Sequence, residues 1–167
     1  HPLQIEIFRI VSELLEIPLS EINAERDDCG APTLYLKLLE MSRLYSLLSS
    51  SETAELEQIS RAITINPIMI SDNNKFDTEI IKASHGQVIG KGGAEGIQCL
   101  CKVNEGIGIA LKVEDGSKRA KHAVSLHLLK QLEWISDLRI QDIEEKVFNL
   151  SEGVRIEVKG KLKFQES

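Results

Sequence analysis

The sequence has few aromatic residues, only 4% of its 167 positions, and no long apolar run. Surfaces that stack nucleic-acid bases need exposed aromatic rings, and phosphate backbones attract basic proteins. This chain has a net charge of −6 and an isoelectric point near 5.3, so we expect no nucleic-acid partner. A membrane span needs roughly 20 apolar residues in a row, so we expect no membrane partner either.

Cysteine is also scarce, with Cys29, Cys99 and Cys101 as the three examples. They form no Cys-x-x-Cys pair and no four-ligand zinc pattern, and an odd number fits poorly with a secreted disulfide framework. We therefore expect reduced thiols and a cytoplasmic protein, with Cys99 and Cys101 in the core or on one sheet face. The four histidines, His122 among them, do not cluster, and we expect each at the surface or only partly packed.

The length of 167 residues fits a single domain, residues 1–167. Apolar residues at steps of three and four predict helices over residues 3–15 and 37–50, and from Thr53 as N-cap to Ile65. Asp77 is a candidate cap for a short helix that ends at Ser84. Three strands, over residues 87–90, 97–103 and 106–113, are predicted to precede a long helix over residues 117–135. The order of elements predicts an α+β fold with an antiparallel sheet packed by helices.

The C-terminal part gives two further expectations. Residues 136–153 are predicted to be a mobile connection. After them, apolar residues at 154, 156, 158, 162 and 164 alternate with charged ones. This alternation predicts a half-buried strand, or a hairpin bent at Gly160, with Phe164 on its apolar side.

The segment from Val88 to Gly96 carries the strongest functional signal, because Lys91 lies among four glycines. Glycine allows a close approach of the backbone to a ligand. The letters Val-Ile-Gly-Lys-Gly-Gly also match the clamp that binds the RNA backbone in KH domains. That alternative stays open but is weaker, because the isoleucine expected after the clamp is one position late, at Ile97, and the following residues resemble a strand.

Several motifs along the chain resemble, in order and spacing, the asparaginase II family, whose fold is similar to that of serine β-lactamases and glutaminases. The resemblance runs from His1 to about Gly160, and it lies in Asp27-Asp-Cys-Gly-Ala-Pro-Thr33, Phe76-Asp-Thr78, Lys91-Gly-Gly-Ala-Glu-Gly96, Gly108-Ile-Ala-Leu-Lys112, and Asp115-Gly116 followed by Arg119-Ala120. It implies an L-asparaginase-type amidohydrolase that converts asparagine to aspartate and ammonia. In such an enzyme lysines activate a serine, and a zinc ion lies near the substrate.

The resemblance assigns three site residues. It implies that Lys91 is catalytic, that Asp27 contacts substrate and that Cys29 is a zinc ligand. Asp28 replaces a glycine that is usual in the family, and Lys37 stands where a proline is usual, which puts the geometry of the Asp27 loop in question. A single thiol makes only a weak or incomplete zinc site.

The family's Ser-x-x-Lys nucleophile pair does not occur among these residues. The chain also starts at His1 rather than at a methionine, so we expect it to be the C-terminal portion of a longer domain. Whether it is an enzyme by itself stays open. It is either part of an asparaginase that the missing N-terminal half completes, or a non-catalytic remnant, or a subunit that completes the active site of another chain. Its expected protein partner is the missing half or a second copy in a homo-oligomer.

Overall fold

A computed structural model describes residues 1–163 of the chain. These residues form seven helices and two antiparallel sheets, which confirms the predicted α+β class. The helices are α1 (Pro2–Leu15), α2 (Leu38–Ser50), α3 (Ala54–Ile65), α4 (Ile68–Ser71), α5 (Phe76–Ala83), α6 (Lys118–Gln131) and α7 (Asp137–Phe148). The strands are β1 (Asn23–Arg26), β2 (Pro32–Tyr35), β3 (Val88–Gly92), β4 (Ile97–Lys102) and β5 (Ile107–Lys112).

The first 37 residues form α1 and a hairpin of β1 and β2. Leu15, at the end of α1, is the one buried residue in this stretch. The side-chain amide of Gln4 donates to the carbonyl oxygen of Pro32 at 3.1 Å, and the Arg43 guanidinium donates to the carbonyl oxygen of Leu15 at 3.0 Å. Polar contacts therefore hold α1 to the hairpin and to α2, and this region buries little apolar area.

Strands β3, β4 and β5 form a three-stranded sheet in that order, with Lys91 opposite Cys99 and Gly92 opposite Gln98. Because side chains alternate along a strand, the sheet has two different faces. Helix α2 packs so closely on one face that a Cβ atom on Gly108 would lie 2.1 Å from the carbonyl oxygen of Ser42. Lys91 belongs to this face by register.

The opposite face of the sheet packs on α5, α6 and α7 and forms the hydrophobic core. Leu100 in β4 is fully buried there, together with Ile80 from α5 and Leu129 from α6. Residues 136–153 were expected to be a connection, but α7 fills most of this stretch and buries Ile140 and Ile143 in the core. The helix forms because these two apolar residues, three apart, meet α5 and α6 on one face.

The predicted strand after residue 153 is absent, since residues 154–163 form no regular structure. Here the backbone pairs with side chains of α6 instead of a neighbouring strand. The carbonyl oxygen of Gly160 lies 2.9 Å from Nε2 of His127, and the N–H of Leu162 donates to the side chain of Gln131 at 2.9 Å. A segment with alternating apolar residues forms a strand only if it can pair with the edge of a sheet. Here its backbone contacts α6 instead. Phe164 lies outside the described residues.

Candidate functional site

Lys91 lies near the end of β3 and its side chain is exposed. Its ammonium donates to the carbonyl oxygen of Gly92 at 2.6 Å, and no carboxylate in residues 1–163 forms an ion pair with it. A lysine without a carboxylate partner retains its charge for an incoming group. The predicted catalytic residue is thus presented to solvent at the edge of the sheet.

Behind Lys91, on the other face of the sheet, a buried carboxylate holds the end of β3. Asp77 is only 7% exposed, and its Oδ2 accepts from the backbone N–H of Gly92 at 2.8 Å. Its Oδ1 accepts from the side-chain amide of Gln98 at 2.8 Å. A buried carboxylate needs such donors, so this network fixes the strand position next to Lys91. The expected role of Asp77 as a helix cap is wrong, because its carboxylate bonds to the sheet.

Lys121 braces the glycine turn from the same side. Its ammonium donates to the carbonyl oxygens of Gly93 at 2.9 Å and of Ile97 at 3.0 Å, the two ends of the turn between β3 and β4. Burial lowers the pKa of Lys121, and the nearby charges of Lys118 and Lys91 lower it further. The end of β3 after Lys91 and the turn that follows it are thus held by one buried anion and one buried cation.

His122 is buried beside this network, whereas its sequence context predicted a surface or partly packed position. Its ring stacks on Phe76 with the centroids 4.0 Å apart and 8° between the planes. Burial lowers the pKa of His122 to about 4, and the positive charges of Lys121 and Lys118 contribute. The imidazole is therefore neutral at physiological pH.

Asp27 and Cys29 lie in the exposed loop between β1 and β2. The carboxylate of Asp27 accepts from the backbone N–H groups of Cys29 at 2.9 Å and Ala31 at 3.0 Å, and from the hydroxyl of Thr33 at 3.3 Å. Asp27 therefore organises its own loop. The thiol of Cys29 is free and exposed.

The structure does not bring the three predicted site residues into direct contact, since no hydrogen bond or ion pair within residues 1–163 joins the Asp27 loop to Lys91. The described chain also contains no group of three or more His, Cys, Asp or Glu side chains arranged for a metal ion. A catalytic zinc needs about three protein ligands, so the residues present here do not fit zinc by themselves.

Sequence reasoning missed the roles of Asp77, Gln98 and Lys121. They lie on three separate elements, and no local periodicity brings them together. One signal was available: Gln98 and Lys121 are polar residues at positions that face the core. A polar residue at a buried position usually has a specific partner.

The two buried cysteines are sheet residues, as predicted. Cys99 and Cys101 lie on the α2 face of β4, and burial raises their pKa values to about 11 and about 12. Both are therefore protonated thiols without nucleophilic character at neutral pH.

The KH alternative required the Val88–Gly93 segment to join two helices. Residues 88–92 instead form β3 and pair with β4 along their whole length. The geometry therefore does not support an RNA-backbone clamp.

None of the helices in the described residues is long and apolar enough to cross a lipid bilayer. No curated protein matches the chain at a significant level. A model of the L-asparaginase II family, however, matches residues 1–164, which is nearly the whole sequence. The chain, with its lysine-bearing glycine turn and helix-packed sheet, therefore belongs to the L-asparaginase II family.

Proposed function

We propose that this chain is the C-terminal part of a β-lactamase-like L-asparaginase domain and contributes Lys91, Asp27 and Cys29 to its active site. The reaction is hydrolysis of the side-chain amide of asparagine to aspartate and ammonia. The observation that carries the proposal is the exposed Lys91, held without a carboxylate partner on a braced glycine turn in a chain of this family.

The chemistry of amide hydrolysis has a use for such a lysine. A hydroxyl nucleophile must lose its proton, and the leaving nitrogen must gain one. An exposed ammonium can hold the substrate carboxylate, or a lysine amine can relay these protons. The network of Asp77 and Lys121 supports either role, because it fixes the backbone on both sides of Lys91.

Asp27 is proposed to contact the substrate and Cys29 to provide one ligand of a zinc site that is incomplete in these residues. The exposed position of the loop leaves Cys29 accessible to ligands from elsewhere. Because the described side chains do not assemble a metal site, no step of the reaction is assigned to zinc.

The nucleophile is proposed to come from a separate segment that carries Ser-x-x-Lys, since that pair is absent from these 167 residues. Two features support such an association. In the described chain β5 pairs with β4 alone, so one edge of β5 is available to another strand. Helix α1 also exposes Leu3, Ile5 and Ile10, which a complete domain would cover. A second copy of this chain could cover the same surfaces without supplying the nucleophile.

Ammonia release from asparagine tests the proposal, first with the chain alone and then with a Ser-x-x-Lys-bearing segment from an L-asparaginase II protein. We expect no turnover by the chain alone, because nucleophile and base act as a unit. Addition of the segment should produce turnover that Lys91→Ala abolishes and Lys102→Ala preserves, because Lys102 is at the far end of β4 and pairs with Glu105.

Two results would count against this function. Turnover by the chain alone at a rate that Lys91→Ala does not change would show that Lys91 is not catalytic. A segment that binds the chain but yields no turnover would favour the alternative, a non-catalytic remnant.

A further inference from the structure

A cavity of about 520 Å³ lies between the N-terminal ends of α5 and α6, the end of β3 and the end of α7. Its wall carries an excess of positive charge. The charged or titratable residues that line it are Lys75, Asp77, Lys118, Arg119, Lys121 and His122. Three lysines and one arginine thus face one carboxylate, in a chain whose acidic residues outnumber the basic ones by 26 to 20.

The single carboxylate does not neutralise these cations. Both oxygens of Asp77 already accept hydrogen bonds, from Gly92 and Gln98. No carboxylate of the described residues lies within ion-pair distance of any of the four cations. Unpaired cations that converge on one cavity repel each other, and a bound anion relieves that repulsion.

The backbone adds to the positive potential. Helix α6 has 14 residues and begins at the cavity wall with Lys118 and Arg119. The Ser117 side chain accepts from the N–H of Ala120 at 3.2 Å, while the N–H groups of Lys118 and Arg119 have no acceptor within the described part of the chain. Free N–H groups at the first turn of a helix favour an anion.

The buried ring of His122 lies in the inner wall of this cavity. Burial lowers its pKa to about 4, and the charges of Lys121 and Lys118 are the next causes, opposed by Asp77. Burial is the largest of these causes, and among the charged neighbours the two lysines act more strongly than Asp77. The buried wall thus contributes the charge of Lys121 in addition to the cations at the mouth of the cavity.

The remaining wall is partly apolar, with Phe76, Val147 and Phe148, and partly polar, with Ser71 and Asn74. Cavities that bind small organic molecules have volumes of about 300–1,000 Å³ and combine apolar walls with a few polar groups. The space thus accommodates an anionic group together with a small organic body.

We propose that this cavity binds a phosphate group, either as inorganic phosphate or as part of a small phosphate ester. A phosphate has nearly two negative charges and three acceptor oxygens, whereas a single carboxylate has one charge and two oxygens. Four cations and two free N–H groups match the phosphate better. The cavity wall shares Gly92, Asp77 and Lys121 with the network behind Lys91, whose side chain is on the opposite face of the sheet. The two sites therefore adjoin, and the proposed phosphate differs from the amide substrate in its chemistry.

Phosphate binding can be measured on the 167-residue chain by calorimetry and by the NMR signals of the His122 ring. The probes are inorganic phosphate, glycerol 3-phosphate as a phosphate ester, and aspartate as a carboxylate. We expect saturable binding of a phosphate probe, together with a rise in the pKa of His122 as negative charge approaches the ring. Tighter binding of glycerol 3-phosphate would identify an ester as the source of the group.

The variants Lys118→Gln and Arg119→Gln test the cations, because both side chains are exposed and their loss should leave the fold intact. Each should weaken phosphate binding about tenfold, the effect of losing one hydrogen bond to a charged group. Lys130→Gln is the matched control, since Lys130 lies on the same helix but pairs with Asp137 outside the cavity. Three results would overturn the proposal: no saturable binding of either phosphate probe, equally tight binding of aspartate, or unchanged phosphate affinity when Lys118→Gln and Arg119→Gln are combined in one chain.

Discussion

Asp77 and Asp27 make similar local hydrogen bonds in two very different regions of the molecule. Each carboxylate accepts hydrogen bonds that hold a glycine-containing turn in place. Asp77 is buried between α5 and the three-stranded sheet, whereas Asp27 is exposed in the β1–β2 hairpin. The same contacts are worth more where water cannot compete for the donors.

This difference extends to the regions themselves. The sheet and its helices bury a continuous apolar core around Leu100, while residues 1–37 bury only Leu15. The predicted site is divided between the two regions. Lys91 is on the sheet that packs on the hydrophobic core, whereas Asp27 and Cys29 are on the exposed hairpin. We infer that contacts within this chain fix the backbone position of Lys91. The hairpin has few such contacts, so its geometry is more easily changed.

The largest expected effect comes from removing the buried carboxylate. Asp77→Ala leaves the Gly92 N–H and the Gln98 amide without acceptors and removes a negative charge that favours the charged form of buried Lys121. The free energy of unfolding should therefore fall by about 3–5 kcal/mol. Asp27→Ala should cost only about 1 kcal/mol, because water replaces its contacts. Urea unfolding of both variants measures the difference. Equal losses of unfolding free energy in the two variants would mean that the buried and the exposed carboxylate contribute equally to stability.

The second effect concerns two glycines with opposite surroundings. A Cβ atom on Gly108 would lie 2.1 Å from the carbonyl oxygen of Ser42 and 2.3 Å from the backbone nitrogen of Ser46, so α2 must move to admit it. We expect Gly108→Ala to lower the free energy of unfolding by about 3 kcal/mol.

Gly30 in the hairpin is the control. It has a φ of +77° but no atom within 4 Å of its added Cβ. Gly30→Ala should therefore cost only the backbone strain, about 1 kcal/mol. A Gly108→Ala protein as stable as Gly30→Ala would show that α2 is not held against the sheet. The melting temperatures of the two variants provide the comparison.

A third effect depends on pH. Because the pKa of His122 is about 4 in the folded chain and 6.5 when unperturbed, the unfolded state binds the proton first as the pH falls. Its contribution to stability is complete above pH 6.5 and is lost as the pH decreases toward 4. The loss should be on the order of 1–3 kcal/mol, because about 1.4 kcal/mol corresponds to one pKa unit and solvent in the cavity screens part of it.

Urea unfolding at several pH values between 4 and 7 checks this dependence. His122→Phe keeps a ring to stack on Phe76 but does not titrate, so its stability should change less over this range. His127→Gln, on the same helix, should behave as the unchanged chain does. An identical pH profile in His122→Phe would assign the effect to other groups.

Much of the fold could be predicted from local patterns. The periodic helices α1, α2 and α3 begin and end within about one residue of their predicted limits, and Thr53 caps α3 through the N–H of Leu56 at 3.3 Å. The three strands of the main sheet were also predicted, because each is a short apolar run between Gly and Asn turns. These features depend on neighbours in the sequence.

The failures depend on partners that are distant in the sequence. Alternation after Val154 predicted a strand, but this segment contacts α6 and not a strand edge. Helix α7 was missed because its apolar residues are buried by packing against α5 and α6, and this packing is not visible in the local sequence. The bonds of Asp77 to Gly92 and Gln98 span 15 and 21 residues, so no local signal reveals them.

The smallest expected change in stability is on the exposed face of α1, where Leu3 and Ile5 are 64% and 66% exposed. Replacing both by Gln, a good helix former, should alter the free energy of unfolding by no more than about 0.5 kcal/mol, since little buried area is lost.

The double replacement should instead weaken the association of the chain with a partner or with a second copy. If a partner segment or a second copy covers this face, sedimentation will show that the unchanged chain self-associates and that the double variant does so less. Met69→Gln, which changes a still more exposed apolar residue in α4, should not reduce this self-association. A chain that is already a monodisperse monomer, and that gains no activity when a Ser-x-x-Lys segment is added, would contradict completion by a partner and leave the remnant alternative.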